Sequence, residues 1–272
     1  ALKGFKGTVL ILYGDNPLLK KETLKKLLDY HLENNVDATL LTGTLKKPAG
    51  YGRIMRDKYS SICGIVEEKD ADEVQKDIKE INTGIMAFKK EKLLANLGLI
   101  RPNNRKKEYY LTDIVGILAK KNFLVDGVKV QDAQEALGIN TRAELAIANC
   151  LMQKTINDKL MQDGVTIIDP PSTFINFGTA IGKDTVIYPF TVIERDVKIG
   201  KRCFLGPFAH LREGVRLGDD VTAGNFIEMV RSRIGNKTFV KHFSYLGDSS
   251  VGSNVNIGAG TVTANFDGKN KN

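Results

Sequence analysis

Apolar residues follow two different rhythms along this chain, and the change of rhythm falls near residue 140. In the first stretch, short apolar runs alternate with helical spacings. A buried strand is predicted at Thr8-Val-Leu-Ile-Leu-Tyr13, closed by the turn sequence Gly14-Asp15-Asn16-Pro17. Leu24, Leu27, Leu28 and Leu32 recur at the spacing of one helix face. Strands are predicted over Val36–Leu45, Ile62–Val66, Ile81–Phe88 and Phe123–Val130, and Leu111, Ile114, Val115 and Leu118 mark a further helix. Strand and helix in alternation imply an α/β sheet. Thr141 and Glu144 then form a capping-box pair ahead of an apolar-periodic run that ends near Met161 and is stopped by Gly164. The expected organisation is an α/β domain over 1–140, a linker helix over 141–163 and a second domain over 164–272.

The second rhythm has a period of six. Ile175, Ile181, Ile187, Ile193, Ile199, Leu205, Leu211, Leu217, Ala223 and Met229 hold one phase without a break. The phase slips by one residue to Ile234, Val240 and Leu246, and again to Val251 and Ile257. Glycine often follows the apolar residue, as at Gly182, Gly200, Gly206, Gly218 and Gly224. A small or β-branched residue comes four positions after it, as at Thr185, Thr191, Val197, Cys203, Ala209, Val215 and Val221. A helix of about 3.6 residues per turn rotates such a pattern off any one face. Short strands with a turn every six residues keep it, three to a coil, so that equivalent side chains stack. The period therefore predicts a parallel β-helix with the larger aliphatic residue inside and the smaller one beside it at the corner.

Composition narrows the function classes. The charge is +8, but the basic residues are scattered rather than striped; aromatics are 7% and Trp is absent. A base-stacking nucleic-acid platform is disfavoured, and phosphorylated small molecules or solvated Lys-rich faces account for the excess equally well. No apolar run approaches the roughly 20 residues that span a bilayer. Cys63, Cys150 and Cys203 are odd in number and widely spaced, which argues against a disulfide framework or a metal-type Cys pair and for a reducing, cytoplasmic setting.

Six ordered stretches of the first half carry a resemblance: Leu12-Tyr-Gly-Asp-Asn-Pro-Leu18, Gly50-Tyr-Gly-Arg-Ile54, Gly64-Ile-Val-Glu-Glu-Lys-Asp70, Glu80-Ile-Asn-Thr-Gly84, Glu108-Tyr-Tyr-Leu-Thr-Asp113 and Gly138-Ile-Asn140. Together they resemble the uridylyltransferase domain of the bifunctional UDP-N-acetylglucosamine pyrophosphorylase / glucosamine-1-phosphate N-acetyltransferase family. The resemblance implies a Rossmann-like α/β nucleotidyltransferase domain, here partial. It also implies UTP as co-substrate and Mg²⁺ held by Asp15 and Asn140. Gly52, Glu67 and Asn82 match positions that contact the N-acetylglucosamine moiety. The residue types suit the chemistry: Mg²⁺ takes hard oxygen ligands with few from protein, a carboxylate accepts from sugar hydroxyls, and glycine admits close approach. Read locally, Asp15 is also a turn-forming residue before Pro17, Asn140 a helix-start residue and Glu67 a solvated strand-end charge. The family's Gly-rich loop with its Thr-Arg pair and Lys, which grips the nucleotide phosphates, has no match in residues 1–14. The expectation is that the isolated chain transfers no uridylyl group.

The second half resembles the acetyltransferase domain of the same family over Leu205-Gly-Pro-Phe-Ala-His-Leu-Arg-Glu-Gly214, Gly224-Asn-Phe-Ile-Glu-Met229, Lys241-His-Phe-Ser-Tyr-Leu-Gly-Asp248, Asn254-Val-Asn-Ile-Gly-Ala-Gly-Thr261 and Asn265-Phe-Asp-Gly-Lys-Asn-Lys271. What it implies is a left-handed β-helix of hexapeptide repeats, acetyl-CoA as co-substrate, a homotrimer, and His242 as the general base. Imidazole has a pKa suited to taking the ammonium proton. The six-residue phase supports His242, since Val240 points inward and His242 then lies off the stacked core near a corner. Arg212 matches a phosphate-binding position and follows the inward Leu211; Tyr245 and Asn256 match substrate contacts, and Asn265 and Lys271 match the lining of the amino-sugar and acyl-donor pocket. His31 and His210 carry no such match and read as surface or structurally satisfied histidines.

Two departures stand out. Where the family carries a Lys after Glu-Met, this chain has Val230, with Arg231 next and expected on the other side of the strand. The repeat before Arg212 is shorter than the family's by about one coil, and the chain is expected to lack both ends of the family's length. The leading reading is the bifunctional enzyme. Its rivals are a single-activity sugar-1-phosphate nucleotidyltransferase whose β-helix only trimerises it, and a non-catalytic scaffold or fragment. The expected partners are glucosamine 1-phosphate, N-acetylglucosamine 1-phosphate, UTP and acetyl-CoA, with neither nucleic acid nor membrane.

Overall fold

Strand β1 (Thr8–Ile11) leads through helix α1 (Lys21–Glu33) to β2 (Ala38–Thr44), β3 (Arg53–Arg56) and β4 (Ile62–Val66). The single turn α2 (Glu73–Lys76), β5 (Glu80–Lys89), α3 (Lys90–Leu97), α4 (Asp113–Lys120), β6 (Val125–Lys129) and the long α5 (Arg142–Gln162) follow. The computed structural model describes residues 2, 4–265, 268 and 269. It separates into two compact units, Ala1–Ala148 and Asn149–Asn272, divided within α5.

The six strands form one mixed sheet in the order β4-β3-β5-β2-β6, with β1 on β5; β2 and β6 are parallel and the other pairs antiparallel. Two apolar clusters cover its faces. Leu40, Met86 and Phe88 pack with Ile114, Val115 and Leu118 of α4, while Leu41, Ile81 and Ile85 pack with Leu27 of α1. This is the two-sided burial that strand–helix alternation implies. The predicted strand over 8–13 ends at Ile11, because the chain turns into Gly14–Pro17 two residues early. Strand β3 and helix α3 lie outside the predicted elements: β3 is only four residues long and reads Arg-Ile-Met-Arg, too short and too charged at its ends to show a period. Helix α5 starts with the capping box, in which Glu144 N–H donates to Thr141 Oγ1 at 3.2 Å and Thr141 N–H donates to Glu144 Oε2 at 2.7 Å.

The second unit is a parallel β-helix. Ile175, Ile193, Leu211 and Met229 pair in register from coil to coil, and Leu246 continues the row. All five are at most 5% exposed. Thr185, Thr191, Val197, Cys203, Ala209, Val215 and Val221 form the second buried row, so both repeating positions face the core. The slips in phase have a structural cause. Leu217 pairs with Ile234 and Ile234 with Val251, so these coils lose one residue at the corners near Arg231 and Asp248. Glycine ladders let the coils close: a Cβ on Gly200 would lie 2.5 Å from the Gly218 carbonyl. In the later coils two faces merge, because Thr222–Val230 and Phe239–Gly247 run as single nine-residue strands around a corner. Among the described residues no helix is long and apolar enough to cross a membrane.

Candidate active sites

In the first unit the chain brings together segments far apart in sequence. The Asn82 N–H donates to the Gly52 carbonyl at 2.8 Å, and a Cβ built on Gly52 would stand 3.3 Å from Glu67 Oε2. Gly52 therefore lies against both Glu67 and Asn82, with Asn82 buried and its Oδ1 accepting from Gly84 N–H at 3.1 Å. The other Glu67 oxygen, Oε1, accepts from Thr112 Oγ1 at 2.7 Å. Tyr13 lies against Gly84, two residues on from Asn82: a Cβ on Gly84, which has φ +83°, would overlap the Tyr13 ring at 2.4 Å. Burial pushes the Tyr13 phenol above its ordinary pKa, and the carboxylates of Glu67 and Asp15 push the same way. Tyr13 thus stands within the field of both carboxylates.

Asp15 meets the Gly138–Asn140 stretch across the sequence. The Ile139 N–H donates to the Asp15 carbonyl at 2.9 Å, and a Cβ on Gly138 would be 3.5 Å from Asp15 Oδ2. Asp15 Oδ1 is buried without a hydrogen-bond donor among the described residues. Asn140 is exposed, and its N–H donates to Glu144 Oε2 at 2.7 Å.

In the second unit His242 is exposed, on the strand that turns the corner, beside Asn225 in register. Its carbonyl accepts from Ser244 Oγ at 2.8 Å. His210, Glu228 and Tyr245 fall in one outward register row. Arg212 follows His210 and donates from Nη1 to Glu228 Oε1 at 2.9 Å, which raises the guanidinium pKa. Tyr245 folds its hydroxyl back over Gly247, where a Cβ would lie 2.6 Å from it, and the Asn265 side-chain amide donates to the Gly247 carbonyl. Arg212, Tyr245 and Asn265 are thus linked through Glu228 and Gly247, while His242 lies three residues before Tyr245 on the same strand. Asn256 pairs with Phe239 on the neighbouring face, and Lys271 lies outside the described residues.

The two departures have visible consequences. Val230 is 2% exposed and opposite Gly247 in register. Arg231, at φ +45°, is engaged by Asp248 through Nε and Nη2 at 2.5 and 2.7 Å, so its charge is held in an ion pair at the corner. His210 pairs with Glu194 at 2.9 Å and His31 is buried against Thr39 Oγ1 at 2.9 Å.

Residues 178–212 match the family model described as bacterial transferase hexapeptide (six repeats). Over 98% of its length the chain is 45% identical to the bifunctional protein GlmU of Thermosipho africanus, and over 97% it is 41% identical to that of Geobacillus sp.. That of Heliobacterium modesticaldum is 43% identical over 97%. The chain is similar to GlmU proteins over nearly its whole length. It spans 65% of the length of each of these three relatives. The hexapeptide match and the observed strand order support the expected fold class, an α/β nucleotidyltransferase-type unit followed by a left-handed parallel β-helix. The alignment with the Thermosipho GlmU runs over 299 positions against a chain of 272 residues, so that relative carries residues with no counterpart here. Within the GlmU motifs, Thr112 and Glu228 were not singled out from sequence. Each acts on a candidate residue through a side-chain contact, and a one-dimensional pattern carries no mark of such a contact.

Proposed function

We propose that this chain is part of a bifunctional, cytoplasmic enzyme of UDP-N-acetylglucosamine synthesis, using acetyl-CoA, glucosamine 1-phosphate and UTP. The reading rests on one observation above all. The residues matched to two different reactions segregate into two separate units, and within each unit some of them are linked by direct contacts.

In the second unit, acetyl transfer requires the substrate ammonium to lose a proton before the amine attacks the thioester carbonyl. His242 is suited to take that proton: it is exposed and its ring makes no hydrogen bond among the described residues. Arg212 supplies a cation for the sugar phosphate, in competition with Glu228. Tyr245, Asn265, Asn256 and Lys271 are assigned to substrate contact. In the first unit, Glu67 and Asn82 accept from and donate to the N-acetylglucosamine moiety, and Gly52 leaves room for it. Asp15 and Asn140 are assigned to Mg²⁺. The ion fits this place because Asp15 Oδ1 is a buried acceptor with no donor among the described residues, the environment in which an oxygen welcomes a cation. When bound, it would neutralise phosphate charge during attack on the UTP α-phosphorus.

A homotrimer is part of the proposal. All eight described phenylalanines of the second unit are exposed, by 38% to 82%, while its core is aliphatic. Phe190, Phe208 and Phe226 stack at one corner with centroids 5.0 and 5.1 Å apart. Such a surface suits burial against further copies of the chain. The buried Val230 favours a second reading, in which the β-helix serves only to assemble a nucleotidyltransferase, because a buried aliphatic side chain stands where the matched motif carries a Lys.

Two variants test the assignment in a full-length GlmU carrying this sequence. Asp15→Ala is expected to abolish uridylyl transfer and spare acetyl transfer. His242→Ala is expected to lower acetyl-transfer kcat by about 10²–10⁴-fold and spare uridylyl transfer. Full acetyl transfer in folded His242→Ala moves the conclusion to the second reading, and equal loss of both activities in either variant refutes the two-unit assignment.

A further inference from the structure

Asn16 adjoins Asp15, and the turn it occupies does not explain its side chain. An Asn ahead of proline commonly uses its side-chain oxygen to accept a backbone N–H two residues on. Here backbone groups close the turn: Leu19 N–H donates to the Asn16 carbonyl at 3.5 Å and Ile139 N–H to the Asp15 carbonyl at 2.9 Å. Asn16 Oδ1 is instead buried with no donor among the described residues, as is Asp15 Oδ1. Both side chains lie against Gly138, where a Cβ would stand 3.5 Å from Asp15 Oδ2 and 3.8 Å from Asn16 Nδ2.

Two unpaired buried acceptors on consecutive residues destabilise a loop. An aliphatic residue of the same size at position 16 would remove half of that cost. The arrangement makes sense where a positive group approaches both oxygens, and a side-chain amide oxygen is a hard ligand of the kind Mg²⁺ and Ca²⁺ accept. A donor set with one carboxylate and neutral oxygens also leaves most of a divalent charge to be met by phosphate oxygens.

We propose that Asn16 Oδ1 is a further oxygen ligand, beside Asp15, for the divalent cation of the first unit. This rests on the assignment of the cation to Asp15, and the test separates the two. Mn²⁺ alone is titrated into the 272-residue chain and followed by the electron paramagnetic resonance of the free ion, which needs no turnover. The wild-type chain is expected to take up one ion and Asp15→Ala none. Asn16→Leu is expected to bind about tenfold more weakly, the effect of losing one neutral donor. Asn16→Asp, which keeps an oxygen at the same place, is expected to bind at least as tightly as wild type. Thermal unfolding supplies the companion reading. Without Mn²⁺, Asn16→Leu should melt at or above wild type because an orphaned acceptor is gone, and its gain on adding Mn²⁺ should be smaller. Wild-type affinity in Asn16→Leu, with uptake lost in Asp15→Ala, removes Asn16 from the site and leaves the cation assignment standing. Weaker binding by Asn16→Asp overturns the proposal even if Asn16→Leu fails to fold. Uptake retained in Asp15→Ala, or absent from the wild type, overturns the cation assignment and the proposal together.

Discussion

Thr112 offers a test in which the structural change is confined to one hydrogen bond. It stands at the N-terminal boundary of α4, yet its side chain makes no capping bond there. Its hydroxyl is buried and donates to Glu67 Oε1 at 2.7 Å across 45 residues of sequence. Thr112→Val keeps the shape and removes that donor, with no cap to lose. Freed of it, the Glu67 side chain regains rotamer freedom worth about 0.5–1.5 kcal/mol, which ligand binding must then overcome. That corresponds to about two- to twelve-fold weaker binding of N-acetylglucosamine 1-phosphate. A ligand-observed NMR titration of the chain measures it, with Thr112→Ser as the companion that restores the hydroxyl. Unchanged affinity in the Val variant, or a loss that Ser fails to restore, would show that the bond does not position Glu67 for the sugar. Loss of α4 helicity in the Val variant would show that Thr112 supports the helix after all.

Leu211 is fully buried between Ile193 and Met229 in the stacked row, so Leu211→Ala should destabilise the second unit by about 2–5 kcal/mol in urea denaturation. A smaller loss would mean that the coils collapse onto the gap. His31 is 1% exposed, and burial, with Lys89 adding to it, holds its pKa below the ordinary 6.5. The unfolded chain therefore binds the proton first as pH falls below that value, and stability that is complete above it declines. His31→Gln should flatten this acid slope in thermal melts of the first unit, and an unchanged slope would assign it to other groups. Phe208 stacks on both Phe190 and Phe226, so a Phe190→Ala/Phe208→Ala double-mutant cycle should give a coupling of about 0.5–1.5 kcal/mol. Sedimentation of Phe208→Ala should also show weakened self-association if this corner lies between copies.

The β-helix was legible in the sequence because its contacts are periodic. Each buried residue stacks on its own equivalent one coil away, as Ile193 does on Ile175 and Leu211, so a one-dimensional period already states the three-dimensional register. The same logic put His242 off the core, where it is exposed. In the first unit the local patterns of β2, β4, β5 and β6 were visible, but their neighbours were not. Strand β5 lies between β3 and β2 and also pairs with β1, an arrangement set by which faces could be buried on both sides of the sheet. The meeting of Asp15 with Gly138 and Ile139, of Glu67 with Thr112, and of Tyr13 with Gly84 was decided there. So was the engagement of Arg231 by Asp248 at a corner shortened by one residue. Composition and period determine which residues are buried and how often the chain turns. Which polar groups then face one another depends on contacts between distant segments, and those exist only once the sheet and the coils have closed.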